Sequence, residues 1–245
     1  MRSTAIGFAL CACLCPGQTP GLTDRIFYLT HTATVQQFQE VATTIRTITD
    51  IQRISTDYDQ KSVTVQATAP QIAMAEWLFN ELDSPVAQTT VPHEYRTPNT
   101  SDDVVRVFYV TTATTVQDFQ VIATLVRTIS DIRRVFTYNG RNALVVRGTD
   151  AQIGLADWLV NELQPKPSPS NREYAMPGGN DDIVRVLYLV HTPSVQDFQK
   201  AATQIREATQ IKRVFTYNTL RAAAFRGTAE QVATAERMAA QLDKP

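Results

Sequence analysis

The sequence predicts an α+β chain of three tandem βαββα modules, each a small three-stranded sheet packed against two helices. Two observations carry this: one motif string returns at nearly fixed spacing, and within each copy the hydrophobic pattern switches from alternation to helical spacing. Arg25-Ile26-Phe27-Tyr28-Leu29 returns as Arg106-Val107-Phe108-Tyr109-Val110 and as Arg185-Val186-Leu187-Tyr188-Leu189, at offsets of 81 and then 79 residues. Val35-Gln36-Gln37-Phe38-Gln39 returns as Val116-Gln117-Asp118-Phe119-Gln120 and Val195-Gln196-Asp197-Phe198-Gln199.

Each element has its own signal. The first strand alternates apolar and polar residues after its Arg. Thr34, Thr115 and Ser194 then stand at a helix N-cap, with Gln37, Asp118 and Asp197 three residues on, as a capping box requires. In the helix that follows, Val35, Phe38, Ala42, Ile45 and Ile48 form one apolar stripe, matched by Val116, Phe119, Ala123, Val126 and Ile129. Two strands come next, in the second copy 134–138 and 143–147. Asn139-Gly140 between them predicts a tight hairpin, because both residues tolerate positive φ. Asp59-Gln60 and Asn218-Thr219 lie between the corresponding strands, with weaker turn chemistry. Arg-Gly-Thr at 147–149 and 226–228 predicts a glycine turn and a Thr cap before the second helix. That helix spans 69–82, 150–163 and 229–242.

The resulting boundaries are modules at 24–86, 104–165 and 183–245, with linkers at 87–103 and 166–182. The linkers are rich in Pro, Ser, Thr and Asn, and at about twenty residues they allow the modules to move or to be arranged by a partner, leaving rod and flexible array both open. Glu94-Tyr95 and Glu173-Tyr174 recur inside them at one spacing from the following strand, which predicts that these segments pack on that strand and that the linkers are partly ordered.

Composition bounds the function. The chain has 245 residues, 43% hydrophobic and 19% charged, which suits globular packing. A net charge of −1 gives no broad attraction to nucleic acid or anionic membrane. The three cysteines fall at Cys11, Cys13 and Cys15, so the modules hold neither a disulfide framework nor a thiolate metal site. Residues 1–18 read as an export signal: a positive Met1-Arg2-Ser3, an apolar run to Cys15 too short to span a bilayer, and a Pro16-Gly17 break.

Candidate chemistry is sparse. His31 and His191 are equivalent, but Thr112 replaces them in the second copy, and His93 lies in a linker. Asp50 and Asp131 become Gln210, and Glu81 and Glu162 become Gln241; the two glutamates read as solvent-facing charges. No metal, cofactor, small-molecule substrate or catalytic group is expected, and the chain reads as non-enzymatic. Trp77 and Trp158 occupy one helical position that Arg237 takes in the third copy; core or module-edge packing is their plainer reading, and all three are candidate partner contacts. Arg53, Arg134 and Arg213 recur as part of a mildly basic strip, a candidate partner or RNA contact whose plainer reading is a solvated face or ion pairing between modules.

Read together, Arg106-Val107-Phe108-Tyr109-Val110, the Gly140-to-Thr149 segment and the endings Leu82-Asp83-Ser84-Pro85 and Leu242-Asp243-Lys244-Pro245 resemble the repeated periplasmic N-domains of bacterial secretins, which are KH-like in topology. Leu163-Gln164-Pro165 departs from that ending. Leu10-Cys11-Ala12-Cys13 similarly resembles an imperfect lipobox, making Cys13 a candidate lipidation site and the only implied membrane attachment. The resemblance implies an exported protein of the periplasm or cell envelope. It also implies protein partners or self-association in a secretion or pilus system. The sequence reads to Pro245 directly after the third module, so the expectation is an array without the secretin pore domain. The alternative is a cytosolic KH-like nucleic-acid binder, although the Gly-x-x-Gly loop between helices is absent.

Overall fold

The computed structural model describes residues 21–32, 34–84, 93–98, 100, 102–164, 173–178 and 181–244. The predicted α+β order is present in each copy. Module 1 comprises β1 (Thr23–Tyr28), α1 (Val35–Thr49), β2 (Arg53–Asp57), β3 (Ser62–Ala67) and α2 (Ala69–Leu82). A strand β4 (His93–Arg96) precedes module 2, which comprises β5 (Val104–Tyr109), α3 (Val116–Ser130), β6 (Arg134–Tyr138), β7 (Ala143–Gly148) and α4 (Asp150–Glu162). Then β8 (Glu173–Ala175) precedes module 3, with β9 (Ile183–Tyr188), α5 (Val195–Thr209), β10 (Arg213–Tyr217), β11 (Ala222–Gly227) and α6 (Ala229–Leu242).

All strand pairs are antiparallel, and the last strand of each module lies central: β1-β3-β2, β4-β5-β7-β6 and β8-β9-β11-β10. The caps form as the sequence requires. Thr34, Thr115 and Ser194 accept from the backbone N–H of Gln37, Asp118 and Asp197. Thr149 and Thr228 accept from Gln152 and Gln231, whose side chains reach back to complete the box. The Asp of the Leu-Asp ending caps the loop after the first strand. Asp83 accepts from the backbone N–H groups of Thr30 and His31 at 2.6 and 2.8 Å, and Asp243 from that of His191 at 2.7 Å.

The linkers are partly ordered, as the recurring Glu-Tyr segments indicate: β4 and β8 pair with the outer edges of β5 and β9 and satisfy backbone groups there. Several other expectations need correction. Asn139-Gly140 makes no two-residue hairpin. Asn139–Arg141 is a 3-10 turn, and Asn142 is the residue at positive φ, as are Lys61 and Arg221 in the other copies. Val35, Val116 and Val195 open their helices on the outside rather than joining the core stripe. Glu162 is buried, and Glu81 is largely covered and lies 2.7 Å from His93, so neither is a solvent-facing charge.

The arrangement of the modules, open from the sequence, is a stack in which the sheet of each later module lies on the helices of the one before. In β5, Val104 and Phe108 join the core of module 2, while Val105 and Val107 between them join the core of module 1. The alternation repeats in β7, where Leu144 and Val146 face inward and Ala143 and Val145 face module 1. Likewise Val184, Val186, Ala222 and Ala224 of module 3 lie in the core of module 2. The layers therefore run sheet, helices, sheet, helices, sheet, helices. Strands apolar on both faces read as buried strands, and here the second face belongs to a neighbouring module.

Candidate interaction surfaces

Two equivalent seams join the modules, built from an apolar centre with a polar clasp at each side. At the first, Val105, Val107, Val145 and Tyr138 are buried against α1 and α2. Burying one such side chain stabilises by about 1.5–3 kcal/mol relative to leaving it exposed. Asp50, in the left-handed conformation that ends α1, receives Arg134 in a two-point contact at 3.0 and 2.5 Å. Arg147 donates to the Ile48 carbonyl at 2.7 Å near the C-terminus of α1, while its other nitrogens hold Asp103 at 2.7 and 2.6 Å. At the far side Glu40 accepts from the backbone and side-chain nitrogens of Asn139, both at 2.9 Å.

The second seam repeats the first. Arg213 reaches Asp131 at 2.7 Å, and Arg226 donates to the Ile129 carbonyl at 2.7 Å while holding Asp182. The guanidinium beside each aspartate holds the Asp103 and Asp182 carboxyls below the usual carboxylate range. Where Gly140 lies against Gln37, so close that an added Cβ would meet the amide at 2.8 Å, module 3 has Thr219, whose hydroxyl donates to Asp118 at 2.6 Å. Tyr109 and Tyr188 donate to the carbonyls of Glu81 and Glu162 at 3.2 and 2.6 Å. Burial pushes the Tyr188 hydroxyl up to about 12.

Most of the residues singled out from sequence sit on these seams. Trp77 packs on Tyr95 with ring centroids 5.6 Å apart, and Trp158 on Tyr174 at 5.7 Å, so each Trp meets the added strand of the next module's sheet. Arg237, on the outer face of module 3, is exposed and bonds Thr234 of its own helix. Arg134 and Arg213 are the clasps to Asp50 and Asp131, whereas Arg53 bonds Gln66 within its own sheet. Arg134 and Arg213 are thus neutralised, and Arg106 and Arg185 are paired with Asp157 and Glu236 of their own second helices. Cys13 lies outside the described residues.

The two end faces differ from the seams. On the outer face of module 1, Asp24, Ile26, Asp57 and Thr64 stand where module 2 has Val105, Val107, Tyr138 and Val145. On the outer face of module 3, Gln204, Ala208, Thr234 and Arg237 replace Leu125, Ile129, Leu155 and Trp158. Leu82 and Leu163 are 1% and 2% exposed, but the equivalent Leu242 is 39% exposed. Polar outer faces of this kind close the ends of stacked repeat arrays. Along the side, a groove runs between the first helix and the edge strand in modules 2 and 3. Its lining residues are the same types in both, among them Gln120 and Gln199, Arg127 and Arg206, and Phe136 and Phe215.

No protein-family model matches the chain, and no curated protein matches it. Among solved structures it is similar to secretins and their N-terminal domains. Aeromonas hydrophila ExeD matches over 91% of this chain and 41% of its own, at 13% identity and a TM-score of 0.23. The N-terminal domain of the secretin XcpQ from Pseudomonas aeruginosa matches over 57% of this chain and 62% of its own, at 18% identity and a TM-score of 0.24. A structure of XcpQN012 matches over 91% of this chain and all of its own, at 15% identity and a TM-score of 0.30. The chain thus spans less than half the length of ExeD. Identity and superposition at this level carry no functional assignment.

Among the described residues no three His, Cys, Asp or Glu side chains gather as a metal site, and no helix is long and apolar enough to cross a membrane. The histidines sit in separate pairs with Asp83, Glu81 and Asp243. Sequence reasoning passed over Glu40, Asp118, Arg147 and Arg226, the rest of the clasps. A signal existed for the two arginines alone: Arg147 and Arg226 stand where the first copy has Gln66, whereas Glu40 gives way to Val121 and Lys200 and Asp118 is kept as Asp197.

Proposed function

We propose that this chain is an exported, non-enzymatic protein of the cell envelope whose stacked secretin-N-like modules bind protein partners or self-associate, in a secretion or pilus system. The observation that carries the reading is the repeated side groove. Two grooves of the same composition, each beside a sheet edge, are held at fixed separation by seams that bury the intervening surfaces. Grooves beside edge strands suit extended peptide segments, and a repeated site gains from multivalency. The export signal at residues 1–18 and the candidate lipidation at Cys13 belong to the same reading.

The test is light scattering of the mature chain, capture of envelope proteins on it, and intact mass of the chain recovered from cells. The reading predicts a processed N-terminus together with either a defined oligomer or a retained envelope protein that is lost on substituting the exposed groove residues Arg127 and Arg206. An unprocessed, strictly monomeric chain that retains nothing would contradict it.

A further inference from the structure

The three sheets are not equal. In modules 2 and 3 the outer edge of the first strand is covered by β4 and β8, supplied by the residues before it. In module 1 the sheet order is β1-β3-β2, and among the described residues nothing pairs with the outer edge of β1. The covering strands follow one rule. Glu94 stands opposite Arg106 and Glu173 opposite Arg185, with carboxylate to guanidinium distances of 3.9 and 3.7 Å. The next residue in each, Tyr95 or Tyr174, lies opposite a valine.

Arg25 is the matching arginine in β1. It meets Glu76 of α2 at 3.3 Å, as Arg106 and Arg185 meet the acids of their own second helices, but its side chain remains 53% exposed, against 19% and 13% for those two. Residues 1–20 contain no aspartate or glutamate, and Cys13 stands at the spacing from Arg25 that Glu94 has from Arg106. The acidic residue that the other two sheets receive from the chain is therefore not available to this one from the preceding sequence.

We infer that β1 is a strand-addition site, taking an extended partner segment whose carboxylate lies opposite Arg25. An exposed edge with free N–H and C=O groups is a template for strand addition, and the cross-strand charge pair sets its register. Asp24 faces the position where a Tyr stands in the other two sheets, so an aromatic there meets a polar neighbour rather than a valine. The carboxylate, not the aromatic, is the feature the site selects. This rests on the reading of the chain as an interaction protein and names the partner chemistry for one surface of it.

The probe is a labelled peptide of this chain's own residues 91–98, Val-Pro-His-Glu-Tyr-Arg-Thr-Pro, titrated into the full-length protein by fluorescence anisotropy, with amide exchange read over residues 23–28. The expected result is saturable binding that slows exchange in β1. Arg25→Glu weakens it about tenfold, and a peptide with Lys in place of its Glu restores binding to that variant. Binding that slows exchange only in β5 or β9 would mean strand exchange with β4 or β8 and would overturn the proposal. So would outward-facing amides of β1, those not bonded to β3, already protected without peptide, whether independent of protein concentration (the chain's own preceding residues) or dependent on it (a second copy). Binding that ignores the charge reversal also overturns it. A chain that retains an envelope protein but not this peptide defeats the inference alone and leaves the broader reading standing.

Discussion

Truncating one leucine in each module separates the stacked account from a beads-on-a-string account. Leu82, Leu163 and Leu242 occupy the same position at the end of the second helix, and the first two are followed by another module. Leu82 and Leu163 are 1% and 2% exposed and sit in cores that include side chains of the next sheet, whereas Leu242 is 39% exposed. Leu→Ala at a fully buried site costs about 2–5 kcal/mol, made up of lost transfer energy and the residual cavity. At Leu242 less surface is buried and solvent can fill the gap, so the cost falls to roughly 1 kcal/mol. Urea unfolding of the three single variants, followed by far-UV circular dichroism, measures this directly. Equal costs at all three positions would refute the reasoning, since the seams would then contribute nothing to burying Leu82 and Leu163.

Other expectations follow from the clasps. A double-mutant cycle on Asp50 and Arg134 should give a coupling of about 0.5–1 kcal/mol, modest because both side chains are 44% exposed, while Arg53→Ala should be near neutral. Gly140→Val should destabilise by about 1–3 kcal/mol, because an added Cβ meets both Gln37 and, at 3.0 Å, the ring of buried Tyr138, and Gln37→Ala should relieve only part of it; thermal melts of the single and double variants would show this. Asp103 and Asp182 have folded pKa values below their unfolded value of about 3.9. Their contribution is therefore complete above that pH and is lost as pH falls through the folded values, so Asp103→Asn should flatten the stability profile below about pH 4. Tyr188 shows the opposite sign. Raised to about 12, its contribution is whole below the unfolded value of about 10 and is lost as pH rises through about 12, and Tyr188→Phe should remove that alkaline loss in a denaturation series.

The local structure was legible because caps and stripes act within a few residues. Thr34, Thr115, Ser194, Thr149 and Thr228 cap as their spacing requires, and the strands pair as alternation indicates. What escaped was the second face of each sheet. Val105 and Val107 look like ordinary strand residues beside Val104 and Phe108, and only a repeat-by-repeat comparison shows that the first copy has the exposed Asp24 and Ile26 in their place. Gly140 illustrates the same limit. Read locally, it is a turn glycine, but it has ordinary φ and serves instead to let α1 approach. The β4 and β8 strands were masked by Pro- and Ser-rich surroundings, although the recurring Glu-Tyr pair marked them. The candidate contacts split for one reason: Trp77, Trp158, Arg134 and Arg213 meet another module, while Arg53 and Arg237 sit on outer faces.

The central claim is that the three modules form one stacked body. Spin labels at Gln52→Cys and Lys212→Cys, both exposed, in a chain with Cys11, Cys13 and Cys15 changed to Ser, would report the distance between modules 1 and 3 by pulsed dipolar spectroscopy. The stack predicts a single narrow distance distribution that broadens when Val107 and Val186 are both changed to Asp. A broad distribution in the parent chain, unchanged by those substitutions, would contradict it.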